Sequence, residues 1–281
     1  MYFDSHAHYD DRRFKRDRDK LLADLPGLGV TGIINSGACI TSSKASVALA
    51  NEYPYIYATV GVHPHEVSKM KDEDLETLTG WALQKSAVAD ENVEPLTGCT
   101  SQKSAVAKSV VAKSVVAIGE IGLDFHYDNS PRDTQRIWFA KQLALAKSLD
   151  MPVVIHSREA AAETMSIIKD SAVVKGVLHC YSGHLPMALE YIDMGFYISL
   201  GGPVTYKNAQ KTQDVAANIP LNRLLIETDA PYLPPVPFRG KRNDSSMLPL
   251  IAEAIAELRG ITQDEVALTT AENARKLFGI Q

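Results

Sequence analysis

Val153-Val154-Ile155-His156 is a run of three β-branched apolar residues that ends on a metal-ligand side chain. Its length and branching read as a buried strand. A polar ligand at the tip of such a strand is costly unless it has a task. Four more runs have the same plan: Phe3-Asp4-Ser5-His6-Ala7-His8, Val116-Ala117-Ile118-Gly119-Glu120, Gly176-Val177-Leu178-His179 and Leu225-Ile226-Glu227-Thr228-Asp229. Five such endings in one chain point to a metal site assembled from strand tips.

Working outward, strands are expected near 2–6, 31–36, 56–62, 115–120, 152–156, 175–179, 196–200 and 223–228. Between them run helical patterns at 133–149, 158–169, 184–194 and 207–218. The first of these spaces Ile137, Ala140, Leu143, Ala144 and Ala146 by threes and fours. Strand-helix alternation implies a parallel sheet. Eight strands in 281 residues favour a closed α/β barrel of the (β/α)8 TIM type over an open doubly wound sheet. No Gly-x-Gly-x-x-Gly follows the first strand, which argues against a dinucleotide fold. Barrel active sites lie at the C-terminal strand ends, where the ligand-type residues fall. One domain is expected over 1–281. It closes with a helix from Met247 to Arg259 and a last helix, preceded by the Thr262-x-x-Glu265 capping pattern, packed against the barrel.

The stretch between the third and fourth strands is repetitive. Gln84-Lys85-Ser86-Ala87-Val88-Ala89 recurs at 102–107, and Ala107-Lys108-Ser109-Val110-Val111 repeats as Ala112-Lys113-Ser114-Val115-Val116. A duplicated surface insertion at about 84–111 is the simple reading, and an interaction arm is the other. Only the second copy leads directly into Glu120, which sets the register of the fourth strand.

The composition is that of a soluble protein, 45% hydrophobic and 22% charged. No apolar run approaches the roughly 18 residues that span a membrane, and the N-terminus has no signal-peptide pattern. Three distant cysteines, Cys39, Cys99 and Cys180, suit a reducing cytoplasm better than a disulfide framework. The net charge of -5 argues against a protein that coats nucleic acid through bulk electrostatics. Any grip on nucleic acid must be local.

His6 and His8 are two apart and share a strand face. With Glu120, His156, His179 and Asp229 they make six donors, too many for one tetrahedral ion with an open position. They suit two divalent ions about 3.5–4 Å apart. Glu120 is the bridging candidate, because the fourth strand is expected between the first and fifth. His6, His8 and Asp229 would hold one ion, strands one and eight being neighbours in a closed barrel; His156 and His179 would hold the other. Mixed imidazole and carboxylate donors admit Mg, Mn, Zn, Co or Ni. Such a pair lowers the pKa of a shared water to about 7 and neutralises phosphodiester oxygens, with Asp229 as proton acceptor. Glu120 and Asp229 are thus the expected catalytic pair.

Around them, His63 at the third strand tip is a phosphate contact or a hydrogen-bond partner behind the ligands, and His65 a loop residue. Arg158 can clamp phosphate or pair with a carboxylate. Glu227 shares a face with Asp229. Arg239, Lys241 and Arg242 form a basic loop suited to phosphate. His126 and Tyr127 stand at the mouth, where an aromatic can stack on a base or simply pack. Arg12-Arg13-Phe14-Lys15-Arg16-Asp17-Arg18 reads as a solvated helix face.

The chain resembles the TatD family of metal-dependent hydrolases over nearly its whole length. The resemblance rests on Asp4-Ser5-His6-Ala7-His8, Gly61-Val62-His63-Pro64-His65, Gly119-Glu120-Ile121-Gly122-Leu123-Asp124, Ile155-His156-Ser157-Arg158, His179-Cys180-Tyr181-Ser182-Gly183 and Glu227-Thr228-Asp229-Ala230-Pro231-Tyr232-Leu233. It implies that the six donors bind metal, and that the activity is a metal-dependent deoxyribonuclease, 3′-to-5′ exonucleolytic in several members. The substrate would be DNA, as single strands or frayed ends, or RNA. The repetitive stretch departs from the family pattern. Two rivals stand beside this reading: an esterase or amidohydrolase such as an aminoacyl-tRNA deacylase, and a non-enzymatic metal-stabilised scaffold.

Overall fold

The computed structural model describes residues 1–83 and 114–281. The duplicated segment at about 84–111 lies outside the described residues. Eight parallel strands form one sheet in sequence order: β1 (Tyr2–Ala7), β2 (Val30–Ser36), β3 (Ile56–Val60), β4 (Val115–Asp124), β5 (Val153–Arg158), β6 (Gly176–Leu178), β7 (Tyr197–Leu200) and β8 (Leu224–Ile226). β8 meets β1 through the bonds Asp229 N–H to His6 O, 2.9 Å, and His8 N–H to Ala230 O, 2.7 Å, which nearly close the barrel. The eight expected strand positions are all occupied.

Helices fill the crossovers: α1 (Arg18–Asp24), α2 (Ile40–Glu52), α3 (Asp72–Leu83), α4 (Arg132–Ser148), α5 (Ala161–Ser171), α6 (Leu185–Asp193), α7 (Gln210–Asn218), α8 (Leu248–Arg259) and α9 (Gln263–Phe278). The largest apolar cluster lies where strand residues such as Ile118, Val153 and Ile155 meet helix residues such as Phe139, Leu143 and Ile168. A second cluster joins Phe3, Ile34, Ala117, Val154, Val177 and Leu225 to Ala271, Ala274, Leu277 and Phe278 of α9. The last helix is therefore packed against the strands. Its N-cap is the expected threonine: Thr262 Oγ1 accepts the Glu265 N–H at 3.2 Å.

Three expectations need adjusting. The 12–18 run is not one helix face. It makes a short 3-10 turn over Arg12–Phe14 before α1, with Phe14 fully buried. The fourth strand does not end at Glu120 but continues to Asp124, pairing Gly122 with His156 and Asp124 with Arg158. The continuation is possible because Gly122 has no side chain. A Cβ there would lie 1.9 Å from the His156 carbonyl oxygen, at a φ of +144°. β5 likewise extends to Arg158, so α5 begins at Ala161 and not near 158.

Both strands that supply the central donors carry an extra residue. Between Ile118↔Val153 and Ile121↔Ile155, β4 advances three positions to two on β5. Between Asp4↔Ile33 and Ala7↔Asn35, β1 advances three to two on β2. Such insertions re-aim side chains beside active sites. Here they fall at Gly119-Glu120 and Ser5-His6. Ser5 consequently reaches Ser199 Oγ at 2.8 Å while the next residue, His6, still faces Glu120.

Candidate metal centre

The six sequence-expected donors converge at one end of the barrel. Glu120 is buried at their centre. Its Oε2 lies 3.3 Å from His6 Nε2 and 3.6 Å from His8 Nε2, and its Oε1 lies 3.0 Å from His156 Nδ1 and 2.9 Å from His179 Nε2. Asp229 Oδ1 stands 3.5 Å from His8 Nε2 and 3.8 Å from His6 Nε2. The pairing of β1 with β8 thus gathers His6, His8 and Asp229, as expected. β4 lies between β1 and β5 in the strand order, as expected, though it is not next to β1. β2 and β3 separate β4 from β1, so Glu120 meets His6 and His8 across the barrel mouth and not from an adjacent strand.

The nitrogens crowd one another in a way that suits cations. His6 Nε2 and His8 Nε2 are 3.1 Å apart, and His156 Nδ1 and His179 Nε2 are 3.2 Å apart. Two nitrogens bound at about 2.0–2.1 Å to one tetrahedral ion lie about 3.3 Å apart. Tautomers are set from behind. His8 Nδ1–H donates to the Ser36 carbonyl at 3.0 Å, and His156 Nε2–H donates to Asp124 Oδ2 at 3.1 Å. Both leave the inward nitrogen with its lone pair, which is how supporting carbonyls and carboxylates prepare imidazole ligands. His179 Nδ1 lies 3.4 Å from Glu227 Oε1. Glu227 is fully buried, accepts the Cys180 N–H at 2.6 Å, and leaves Oε2 without a partner. Glu227 therefore sits behind His179.

His63 joins this group, with Nε2 3.3 Å from Glu120 Oε1. Its distances alone would let it share a cation with Glu120 and His156. The tautomer argues otherwise. His63 Nδ1 accepts the His65 backbone N–H at 3.1 Å, so a neutral His63 carries its proton on Nε2 and presents a donor to the centre. His65 is more than a loop residue, because its Nε2 lies 2.9 Å from Asp124 Oδ2, the oxygen that also holds His156. The Asp124 role escaped the sequence reading because the fourth strand was ended four residues early. The available signal was the apolar alternation running on through Ile121 and Leu123.

Proton affinities reflect this density. Burial opposes charge on His8, but the Asp229 and Glu120 carboxylates outweigh it and raise its pKa to about 9. His179 is raised well above its ordinary value against burial, chiefly by Glu120. Burial lowers His63 to about 4. For Glu120, burial is overcome by the facing imidazoles, and its pKa falls well below the carboxylate range. In the protein without ions, imidazolium protons thus balance the carboxylates, and cations would displace them.

These residues open into a cavity of about 500 Å³, which Asp10, Asp11, Glu66, Tyr127, Arg158, Tyr232 and Leu233 also line. Arg158 makes no ion pair among the described residues and places its guanidinium 4.7 Å from the Tyr127 ring centre. Arg239 and Lys241 are exposed and are not among the residues lining this cavity; Arg239 stacks on Tyr206 at 4.4 Å. Arg242 is tied down by two bonds to Asp17, 2.7 and 2.6 Å. No helix among the described residues is long and apolar enough to cross a membrane.

Comparison with known proteins bears on this centre. The family model for TatD related DNase matches residues 3–279. The uncharacterized metal-dependent hydrolase YabD of Bacillus subtilis is 39% identical over 282 residues, covering 100% of both chains. The 3′-5′ ssDNA/RNA exonuclease TatD of Erwinia tasmaniensis is 33% identical, covering 99% of this chain and 100% of its own. Among solved structures, YjjV, a TatD homologue from Escherichia coli, superposes with a TM-score of 0.85 at 32% identity, covering 100% of this chain and 98% of its own. The chain belongs to the TatD-related DNase family and is a metal-dependent hydrolase.

Proposed function

We propose that this TatD-family hydrolase is a nuclease that removes nucleotides from the end of a DNA or RNA single strand, 3′ to 5′, using two divalent ions. The observation that carries the proposal is the division of Glu120: one carboxylate oxygen faces His6 and His8, and the other faces His156 and His179. His6, His8 and Asp229 would hold one ion, His156 and His179 the other, with Glu120 between them. When bound, the ions supply an acidified water and neutralise phosphodiester oxygens. Imidazoles outnumber carboxylates in this donor set, which favours Zn, Co or Ni over Mg or Mn.

The protein's own groups have distinct tasks. Asp229, on the exposed side of the centre, accepts the proton of the attacking water. His63 Nε2–H donates to a phosphate oxygen, and its neutral state at pH 7 makes it a hydrogen-bond donor and not a charge. Arg158 supplies the cation for the next phosphate. Arg239 and Lys241 would meet the strand only after it leaves the cavity. A barrel mouth of this size holds a strand end more readily than a duplex interior. Cys39 and Cys180 form no disulfide among the described residues, which fits a reducing, cytoplasmic setting, and the barrel is read as one domain.

The test is digestion of single strands labelled at either end, with each metal in turn and with chelator. Progressive shortening from the 3′ end, abolished by chelator, is expected. A folded, metal-loaded protein that leaves both strands intact, or that hydrolyses only carboxylic esters, overturns the proposal.

A further inference from the structure

Two tyrosines face the same cavity from opposite sides of the barrel. Tyr127 follows β4 and Tyr232 follows β8, four strands apart in an eight-strand order. Both remain substantially exposed, 55% and 44%, although each has an arginine on its ring: Arg158 at 4.7 Å from Tyr127 and Arg13 at 4.1 Å from Tyr232. Each ring also stands nearly perpendicular to a histidine of the centre. Tyr127 is at 89° to His65, 5.4 Å between centres, and Tyr232 is at 81° to His8, 6.1 Å.

The two walls differ in how firmly they are held. Tyr232 is fixed: its hydroxyl donates to Asp11 Oδ2 at 3.2 Å, and the same carboxylate takes Arg13 through bonds of 3.0 Å from Nε and from Nη2. The Arg13 charge is therefore already compensated. On the other wall the Tyr127 hydroxyl has no hydrogen-bond partner among the described residues, and Arg158 has no carboxylate.

The charge at the mouth makes this significant. Among the described residues lining the cavity, Arg158 is the only arginine or lysine, while Asp10, Asp11 and Glu66 are acidic. The whole chain carries a net charge of -5. Among the described residues the cavity thus offers phosphate about one cationic side chain, and aromatic rings are its other source of grip. Aromatic stacking supplies about 1–3 kcal/mol per base and tolerates any sequence.

We propose that Tyr127 and Tyr232 are nucleobase-stacking walls on either side of the scissile phosphate. The unpaired base on the Tyr127 side completes a three-layer stack of Arg158, Tyr127 and base; the flanking base rests on the fixed Tyr232. The specificity that follows is for strand ends whose bases are present and unpaired. This rests on the nuclease reading of the same site and adds to it the groups that read the bases.

The experiment uses metal-loaded protein and oligonucleotides that are intact, or abasic at the last two positions. With the intact strand, Tyr127→Ala raises KM by about 5-fold to 150-fold, the equivalent of 1–3 kcal/mol, with kcat little changed. Tyr127→Trp restores KM, which a merely structural loss would not allow. The abasic strand starts with the raised KM, and Tyr127→Ala adds little to it. Metal content and melting temperature confirm that the exposed side chain was removed without disturbing the centre. If wild type degrades both strands with equal KM, or Tyr127→Ala leaves KM for the intact strand unchanged, the stacking walls are refuted while the nuclease reading stands. If wild type degrades neither, the nuclease reading itself has failed.

Discussion

Replacing Glu120 with Gln keeps the shape of the side chain and removes its charge. In the wild type both oxygens accept from, or share cations with, imidazoles at 2.9–3.6 Å. An interaction of this charged kind is worth about 1.5–3 kcal/mol. With one oxygen serving each side of the centre, the amide loses about 3–6 kcal/mol over the two, equivalent to about 10²- to 10⁴-fold. The loss should be divided between cation affinity and turnover. Equilibrium dialysis against metal should find fewer than two ions per chain at concentrations that saturate the wild type. Shortening of an end-labelled strand should slow by at least about 10²-fold. The ion-free protein offers an independent reading. Burial opposes a charged His179, and Glu120 is the main group that raises it, so NMR titration should find the His179 pKa lowered in Glu120→Gln. A variant that still binds two ions and turns over within a few-fold of wild type would mean that Glu120 does not bridge, and the two-ion centre would have to be abandoned.

Other perturbations separate the remaining roles. In the ion-free protein, His8 has its folded pKa raised to about 9, against an unfolded value of 6.5, so its stabilisation is complete below pH 6.5 and is lost as pH rises through 9. His63 is lowered to about 4, so its contribution is complete above pH 6.5 and is lost as pH falls through 4. The His8 contribution should therefore appear as a decline in melting temperature above pH 6.5 in the ion-free protein, and saturating cation should remove that decline by displacing the His8 proton; an unchanged alkaline limb counts against His8 as a ligand. Calorimetry of cation binding at pH 7 in buffers of different ionisation enthalpy should reveal proton release, and its absence would contradict the same assignment. Asp124→Asn should cost about 10- to 100-fold in cation affinity by loosening His156, and unchanged affinity in dialysis would deny Asp124 that role. Gly122→Ala should destabilise by at least about 1–3 kcal/mol in denaturant titration, because its Cβ would meet the His156 carbonyl at 1.9 Å; wild-type stability would show that β4 does not run alongside β5 there. Arg158→Ala should flatten the salt dependence of strand binding by about one counterion, and an unaltered slope would remove Arg158 from the phosphate path.

The barrel was legible because its signal is repeated. Val153-Val154-Ile155-His156 alone could be strand or buried helix, but five apolar runs ending on donors fit a single parallel barrel with a shared mouth. What periodicity could not supply was local irregularity. The extra residues at Gly119-Glu120 and Ser5-His6 interrupt the period of two, and no propensity announces them. Treating Glu120 as a strand end was the natural consequence. The continuation to Asp124 depends on Gly122, whose meaning is a close approach to another strand and so is invisible in one dimension. The basic loop is a different case. Arg239, Lys241 and Arg242 are close in sequence, but Arg242 turns back to Asp17 and Arg239 to Tyr206, and charge counted along a chain does not say which charges are already paired.

The same contrast explains why the six donors were easier to find than the groups around them. A donor at a strand tip is set by the strand's direction, which apolar alternation encodes. The role of His63 is set by one backbone bond, His65 N–H to its Nδ1, which fixes where its proton sits. That bond exists because the Val62-His63-Pro64-His65 turn brings the chain back on itself after β3. With the proton so placed, His63→Gln, which offers an amide donor, should retain cation affinity and lose turnover modestly, whereas His63→Ala should retain affinity and lose about 10²-fold or more, the usual cost of removing a positioned donor. Loss of an ion in either variant, measured by dialysis, would make His63 a ligand and would reverse the tautomer drawn from its neighbour.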